Sequence, residues 1–409
     1  MKKLTIFASL IALCPSLAYA EEEAETAKAP YYIGVGAPFY NTNEILSESM
    51  ITLNKGAIYG LRSLDIAETQ RDWQSVGYRT ARAVGLDLPI SLYAAEISHE
   101  LFGHGFASKN FGGSIDNITI DFPPIPYNFD YHSSTTTSGE NVPADIADEW
   151  ASHQKANGLQ VEASMAHLVQ NKFWQAGAVD YDSTILLLKT AYAPGWYNLF
   201  QSPDDDEIGD VNATNDLAAL AAWYENASGE EYTADEFGER SFLVNSLNPM
   251  VLWSWYGAFK YMATGDSTTP LPYLNVFDVK WMPAMSYNLT GYGEEYALSN
   301  YFQTNGGMNG SLEFGVGSAN NDFRVSAFAN DILDGLGPKY EVGLELDYWE
   351  QSSARGSSGT AGFVSLDRYL FDSDTTGIHI KAGYKSFGYL RGYGLKESAI
   401  LSIGLVHRL

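Results

Sequence analysis

The sequence predicts an α+β chain, with an N-terminal mainly helical domain and a C-terminal antiparallel transmembrane β-barrel of about eight strands. Up to about residue 264, apolar residues recur at helical spacing; after Gly265 they alternate one by one to the C-terminus. A third observation, an export signal in the first twenty residues, sets the compartment.

Lys2 and Lys3 precede an apolar run, residues 4–13, and Ala18-Tyr19-Ala20 supplies a small-x-small cleavage site. That is the pattern of a secretory signal peptide over residues 1–20. The run is too short to cross a bilayer as a helix. The single cysteine, Cys14, lies inside it, and the bulky Leu13 before it argues against a lipoprotein processing site. A mature chain without thiols excludes disulfides, cysteine zinc sites and cysteine nucleophiles. The formal net charge is −26, and −28 once Lys2 and Lys3 leave with the signal. Such acidity argues against nucleic acid, or anionic lipid bound through a basic patch. Residues 21–29 read as an acidic leader, residues 30–268 as the helical domain and residues 269–409 as the barrel.

In chain order, residues 30–40 (PYYIGVGAPFY) read as a strand or an extended arm. Ile51, Leu53, Ile58, Leu61, Leu64 and Ile66 suggest one helix, and residues 73–84 a second. A third, residues 86–107, is opened by Asp87 and Pro89 and ended by Phe111-Gly112-Gly113. Residues 114–122 read as a strand and 123–140 as a loop rich in Pro, Ser, Thr and Gly. Helix returns over 144–176, which holds His153, Glu162 and His167, and over 181–200. Residues 202–216 (SPDDDEIGDVNATND) lack the register of a calcium loop and read as a solvated turn with a helix cap. Two helices follow, 216–226 and 234–264, the second broken or kinked at Pro249.

The strand half is clearest over 339–349. Tyr340, Val342, Leu344, Leu346 and Tyr348 share one face; Lys339, Glu341, Gly343, Glu345 and Asp347 share the other. Ile378, Ile380, Ala382 and Tyr384 alternate with His379, Lys381, Gly383 and Lys385. Ala399, Leu401, Ile403 and Leu405 alternate with Ser398, Ser402 and Gly404. One apolar face and one charged or small face is the dyad pattern of a transmembrane barrel. Turns divide this half into segments near 276–291, 294–304, 310–319, 322–331, 339–351, 359–371, 376–388 and 397–409. A soluble up-and-down barrel is the alternative; the export signal and the acidic residues filling one face favour the membrane. The half resembles small Gram-negative outer-membrane barrels. Ser402-x-Gly404-x-x-His407-x-Leu409 is similar to their C-terminal assembly signal, with His407 and Leu409 where aromatic residues are usual. The resemblance implies the outer membrane of a Gram-negative bacterium, with its lipid as a partner. An even barrel returns both ends to one side, which places the helical domain in the periplasm.

The chemistry-bearing stretch is His99-Glu100-Leu101-Phe102-Gly103-His104. A zinc hydrolase usually carries H-E-x-x-H, with two ligands and a general base on one helix. Here the histidines are five apart, about 140° rather than about 40° on an ideal α-helix. A π-type bulge would bring them together, and Gly103 is where the backbone could yield. His99 and His104 would be neutral ligands and Glu100 the base that takes a proton from bound water. A third protein ligand must come from elsewhere, leaving one position for water. Glu162 is the candidate, a carboxylate among small and apolar neighbours that needs a partner if buried. His153 and His167 are its rivals.

The hexapeptide resembles the H-E-L-L-G-H signature of the dipeptidyl peptidase III family of zinc peptidases, a zincin-like motif helix. That family also has the extra residue between its histidines and a downstream helical glutamate as third ligand. The resemblance covers residues 99–104 and, loosely, Glu162. The family's second motif, two adjacent glutamates followed by Arg-Ala-Glu, is absent around Glu162, so its dipeptide-releasing specificity does not carry over. What it implies is Zn2+ and hydrolysis of envelope peptides or proteins. Two other readings stand beside it. Glu96-x-x-His99 is half of a di-iron carboxylate motif, though no second copy falls on an expected helix. Otherwise His99, Glu100 and His104 form a buried polar network in a non-enzymatic, barrel-anchored scaffold or binding protein. No nucleophile elbow or phosphate loop is present in the sequence.

Overall fold

The computed structural model describes residues 28–39, 42–64, 71–122, 124–128, 133–142, 147–200, 207–318, 322–333, 337, 339–351, 358–370, 375–394 and 396–409. The expected signal peptide, most of the acidic leader and residues 202–206 of the acidic turn lie outside the described residues.

Helix α1, Asn43–Ser63, covers Ile51, Leu53, Ile58 and Leu61 of the expected spacing; Leu64 follows its end and Ile66 lies outside the described residues. The second and third expected helices are one. Helix α2 runs unbroken through Trp73–Arg82, Ala83–Asp87, Leu88–Ile97, Ser98–Gly105 and Phe106–Phe111, the second and fourth pieces being π-helical. Its start is capped by Asp72, whose carboxylate accepts from the amides of Gln74 and Ser75. Asp87 does not open a helix: it is buried, 3.2 Å from the Arg82 guanidinium and accepting from the Tyr181 hydroxyl at 2.7 Å. Pro89 lies inside the helix, where its ring and missing donor would break regular α-helical bonding. The π turn just before it supplies the slack. Gly112, at a φ of 92°, ends α2 in the left-handed region.

The remaining helices are α3 (Ala147–Ala176), α4 (Tyr181–Ala191), α5 (Ala193–Phe200), α6 (Asp216–Ser228), α7 (Ala234–Asn245) and α8 (Pro249–Thr264). The expected break at Pro249 separates α7 from α8, with Asn248 capping the new start. The loop after the first expected strand is partly strand: β2 (Ser114–Ile120) pairs with β3 (Ser133–Ser138) over the motif segment.

The other strands are β1 (Pro30–Ala37), β4 (Ala178–Asp180), β5 (Thr268–Pro270), β6 (Leu274–Val276), β7 (Val279–Thr290), β8 (Gly293–Thr304), β9 (Asn309–Gly317), β10 (Phe323–Asn330), β11 (Tyr340–Glu350), β12 (Ser358–Tyr369), β13 (Thr376–Lys385) and β14 (Ser398–Arg408). β4 and β5 make a short pair. The rest form one antiparallel sheet of ten strands in the order β1-β14-β13-β12-β11-β10-β9-β8-β7-β6. Strands β7 to β14 match the eight expected segments. The closed eight-stranded barrel is corrected: β1 joins β14, β6 joins β7, and the sheet stays open.

The physical reason is that side chains of helices occupy both sheet edges. At β1, the Gly34 amide donates to the Ser49 hydroxyl at 3.0 Å and the Thr52 hydroxyl donates to the Tyr32 carbonyl at 2.8 Å, both from α1. At β7, the Tyr287 amide donates to Asn245 Oδ1 at 3.0 Å and Asn248 Nδ2 donates to the Met285 carbonyl at 2.9 Å. An edge satisfied by side chains has no backbone groups left there to recruit another strand.

The faces follow the alternation read from the sequence, apolar outward. Leu401, Ile403 and Leu405 are 53%, 52% and 61% exposed, whereas Glu313 and Asp347 on the helix-covered face are 2% and 6% exposed. The buried charges there are paired. Arg324 bonds Glu295 at 2.9 Å, Lys381 meets Glu345 at 2.6 Å and Glu44 of α1 at 2.7 Å, and Lys172 of α3 meets Glu48 of α1 at 2.7 Å. Helices α1 and α3 therefore sit on the charged face of the sheet.

Candidate metal centre

The π-helical piece Ser98–Gly105 is what makes the motif a site. Residues five apart stack in an i→i+5 helix, so His99 and His104 share a face. Their Nε2 atoms are 3.1 Å apart. Widening the helix displaces carbonyls from regular α-helical partners, and side chains bond to three of them. Asn43 donates to the Phe102 carbonyl at 3.0 Å, Asn157 to that of Gly103 at 2.8 Å and Thr135 to that of Glu100 at 3.0 Å.

Gly103 does more than yield. A Cβ there would lie 2.5 Å from the Cα of Gly158 on α3, so two glycines let the helix backbones touch. A Cβ on Gly158 would in turn strike the His99 ring, 2.6 Å from Cε1 and 2.7 Å from Cδ2.

The third member of the cluster is Asp216, the first residue of α6, held by the Asn215 cap. Its Oδ2 lies 2.8 Å from His104 Nε2 and 3.3 Å from His99 Nε2. Glu162, named above as third ligand, is on the other side of His99: its Oε1 is 2.9 Å from Nδ1. Its Oε2 accepts from Lys189 Nζ at 2.9 Å. The carboxylate is buried and does have partners, but they are a histidine edge and a lysine. Of the rival ligands, His153 packs against Phe111 and Tyr292, and His167 lies 3.6 Å from Glu313 on the sheet. Neither joins the cluster. Glu96 takes a bond from the Ser133 hydroxyl at 2.7 Å and lies 3.4 Å from Lys189, so it is not turned to a di-iron site.

The hydrogen bonds fix the tautomers. The Gln154 carbonyl, 2.5 Å from His104 Nδ1, can only accept, and so can the carboxylate beside His99 Nδ1. Both Nδ1 atoms therefore carry hydrogen, and in neutral rings both Nε2 lone pairs face each other and the Asp216 carboxylate. Three acceptors within 3.3 Å repel unless a cation or extra protons lie between them. Ligand atoms on a tetrahedral zinc, with bonds of about 2.0–2.1 Å, stand about 3.3 Å apart. Two of the three separations, 3.1 and 3.3 Å, fit that spacing, and Asp216 Oδ2 stands closer to His104 Nε2, at 2.8 Å. The outer bonds from Gln154 and Glu162 are those that orient imidazole ligands in known sites.

The site is enclosed, with His99, Glu100, His104 and Asp216 all less than 5% exposed. Burial would lower the His99 pKa, but the bonds to Asp216 and Glu162, with the charges of Glu162 and Glu100, hold it well above the ordinary histidine value. Burial would raise Asp216; His104, His99 and Lys155 outweigh that and hold its carboxyl below the ordinary range. Tyr197 stacks near the His99 ring and donates to Asp216 at 3.4 Å. Glu100 Oε2 is buried with no hydrogen-bond partner among the described residues.

Sequence reasoning missed Asp216. Nothing in the acidic turn separates it from its acidic neighbours, except that it directly precedes an apolar helical run, Leu217 to Ala222.

Together, fold and site define a mixed α+β chain with an open, outwardly apolar sheet and a buried His-His-Asp group able to hold a metal ion. Comparison with protein-family models, with curated proteins and with solved structures finds no match in any of the three.

Proposed function

We propose that the chain is a zinc metallopeptidase of the Gram-negative outer membrane, acting on peptides or proteins of the envelope. The observation that carries the reading is the convergence of three atoms that, with both imidazoles neutral, are all acceptors, because the outer hydrogen bonds hold the ring hydrogens at Nδ1. His99, His104 and Asp216 hold the ion, and Glu162 and the Gln154 carbonyl orient the imidazoles. A zinc ion bound there supplies Lewis acidity and lowers the pKa of a water molecule. Glu100 would be the base for a water held there, since its Oε2 has no other hydrogen-bond partner among the described residues. The outward apolar face of the sheet supports the membrane location.

The second reading, a non-enzymatic scaffold, is favoured by the raised His99 and lowered Asp216, since imidazolium–carboxylate pairs also close the network. Metal analysis of the purified protein separates the two. Stoichiometric zinc in wild type, lost in His99→Ala, His104→Ala and Asp216→Ala, is expected. Metal-free wild type after zinc loading would overturn the enzyme reading.

A further inference from the structure

No helix among the described residues is long and apolar enough to cross a membrane by itself. Yet the helices beside the two sheet edges turn apolar, uncharged faces outward. On α8 the outward stripe is Leu252, Trp255, Tyr256, Phe259 and Ala263, with Trp255, Tyr256 and Phe259 at 38%, 50% and 58% exposed. Its inward face sets Ser254, Gly257 and Ala258 among the buried Met250, Val251 and Tyr261, and a Cβ on Gly257 would already be 3.1 Å from Val179. Lys260, the only charged residue of α8, turns to the Thr268 carbonyl at 3.1 Å, beyond the helix end. The end of α7 continues the apolar surface with Phe242, Leu243 and Leu247. At the other edge, α1 turns Leu53, Gly56, Ala57 and Tyr59 outward and keeps its charged Glu48 and Lys55 buried beside Ile45, Leu46, Ile51 and Ile58. A helix facing water has the reverse arrangement. An outward face that is apolar and free of charge is how a helix meets a hydrocarbon solvent.

We infer that α1, α8 and the end of α7 are bilayer-facing walls that seal the open sheet within the membrane, in place of closure by strand pairing. This rests on the reading that the sheet's apolar face meets lipid. Three observations support hydrocarbon as the occupant. The apolar helix surface continues that of the sheet, from Ile33 and Val35 of β1 to Leu53 of α1. The sixteen residues of α8 give a length of about 24 Å, close to the apolar band of about 25 Å on outer-membrane barrels. Backbone groups facing lipid must be satisfied within the protein. At the two sheet edges Ser49, Thr52, Asn245 and Asn248 do this.

The mature chain lacks cysteine, which makes site-directed spin labelling clean. Single-cysteine variants Phe259→Cys and Ala263→Cys on α8, Ile403→Cys on the sheet and Glu225→Cys on the exposed side of α6 are reconstituted as full chains. The vesicles contain phosphatidylethanolamine and phosphatidylglycerol, and helical circular dichroism confirms the fold. The ratio of oxygen to nickel-chelate accessibility is then read at each label. The inference expects Phe259→Cys or Ala263→Cys to match Ile403→Cys, severalfold above Glu225→Cys. Labels on α8 that follow Glu225→Cys while Ile403→Cys stays lipid-exposed would overturn the helical wall and leave the membrane sheet intact. All labels water-accessible would remove both. Labels on α8 shielded from both reagents, with spin–spin broadening between chains, would assign the face to a second copy and overturn the inference.

Discussion

The sharpest test of the site lies one helix away from the motif. Gly158→Ala adds a single methyl group that would lie 2.6 Å from His99 Cε1 and 2.7 Å from Cδ2, where ordinary contact begins at 3.4 Å. The ring or the helix must therefore move by about 0.7 Å or more, against a tolerance of about 0.2 Å in metal–ligand distance. Metal affinity should fall by at least the loss of about 10–100-fold that disturbing a ligand's supporting contacts brings. The fold should suffer less. Overpacking a buried contact costs about 1–3 kcal/mol, partly offset by the gain of up to about 1 kcal/mol from replacing glycine in a helix. Zinc competition against a chelator measures the first quantity, and thermal unfolding of the metal-free protein the second. Wild-type zinc affinity in a folded Gly158→Ala protein would refute the placement of His99 against α3. A protein destabilised by much more than 3 kcal/mol would show instead that the helix contact, not the ring, is the tight point.

Other outcomes follow from the same geometry. Glu100→Gln should keep its zinc and lose about 10²–10⁴-fold in hydrolysis of a quenched-fluorescent peptide library, the usual share of a general base; retained hydrolysis would remove Glu100 from the chemistry. Glu162→Ala should weaken zinc binding about 10–100-fold through His99. It should also destabilise the metal-free protein by about 3–5 kcal/mol, because Lys189 loses a buried partner. Normal stability in urea titration would mean that Glu96, already 3.4 Å from Lys189, is partner enough. Zinc affinity should fall about tenfold per pH unit as pH drops below the raised His99 pKa, since the metal must displace that ring's proton, and level off above it. Asp216, held low, stays ionised across the same range and adds nothing to the slope. A flat isothermal-titration profile from pH 5 to pH 8 would contradict the raised histidine.

What could be read from the chain alone depended on how local the cause was. The alternation of Tyr340 to Tyr348 against Glu341 to Asp347 is a property of one strand, and β7 to β14 appear where it places them. Closure of the sheet is not local. It turns on Ser49, Thr52, Asn245 and Asn248 reaching the edges from outside the sheet, across 15 to 42 residues of sequence. The π-helical motif was legible because two ligands five apart demand it, whereas the join of the helix across Asp87 and Pro89 was not, since both residues imitate a start. Glu162 was singled out for a sound reason, a lone carboxylate in an apolar setting, but its partner is Lys189 as well as His99. Asp216 carried no such mark. Strand β3, a run of serine and threonine, has no apolar alternation to reveal it.

The touching glycines of α2 and α3 also set an order of assembly. Before the helices dock, the chain offers two histidines on one helix and nothing else; the aspartate that completes the trio is 117 residues away from His99. A partly folded chain therefore has little hold on zinc and no aligned base. Metal uptake at the trio would then be a late event that reports the finished tertiary structure and, by mass action, locks it. On the proposed reading, such a centre would stay silent until the protein around it is complete.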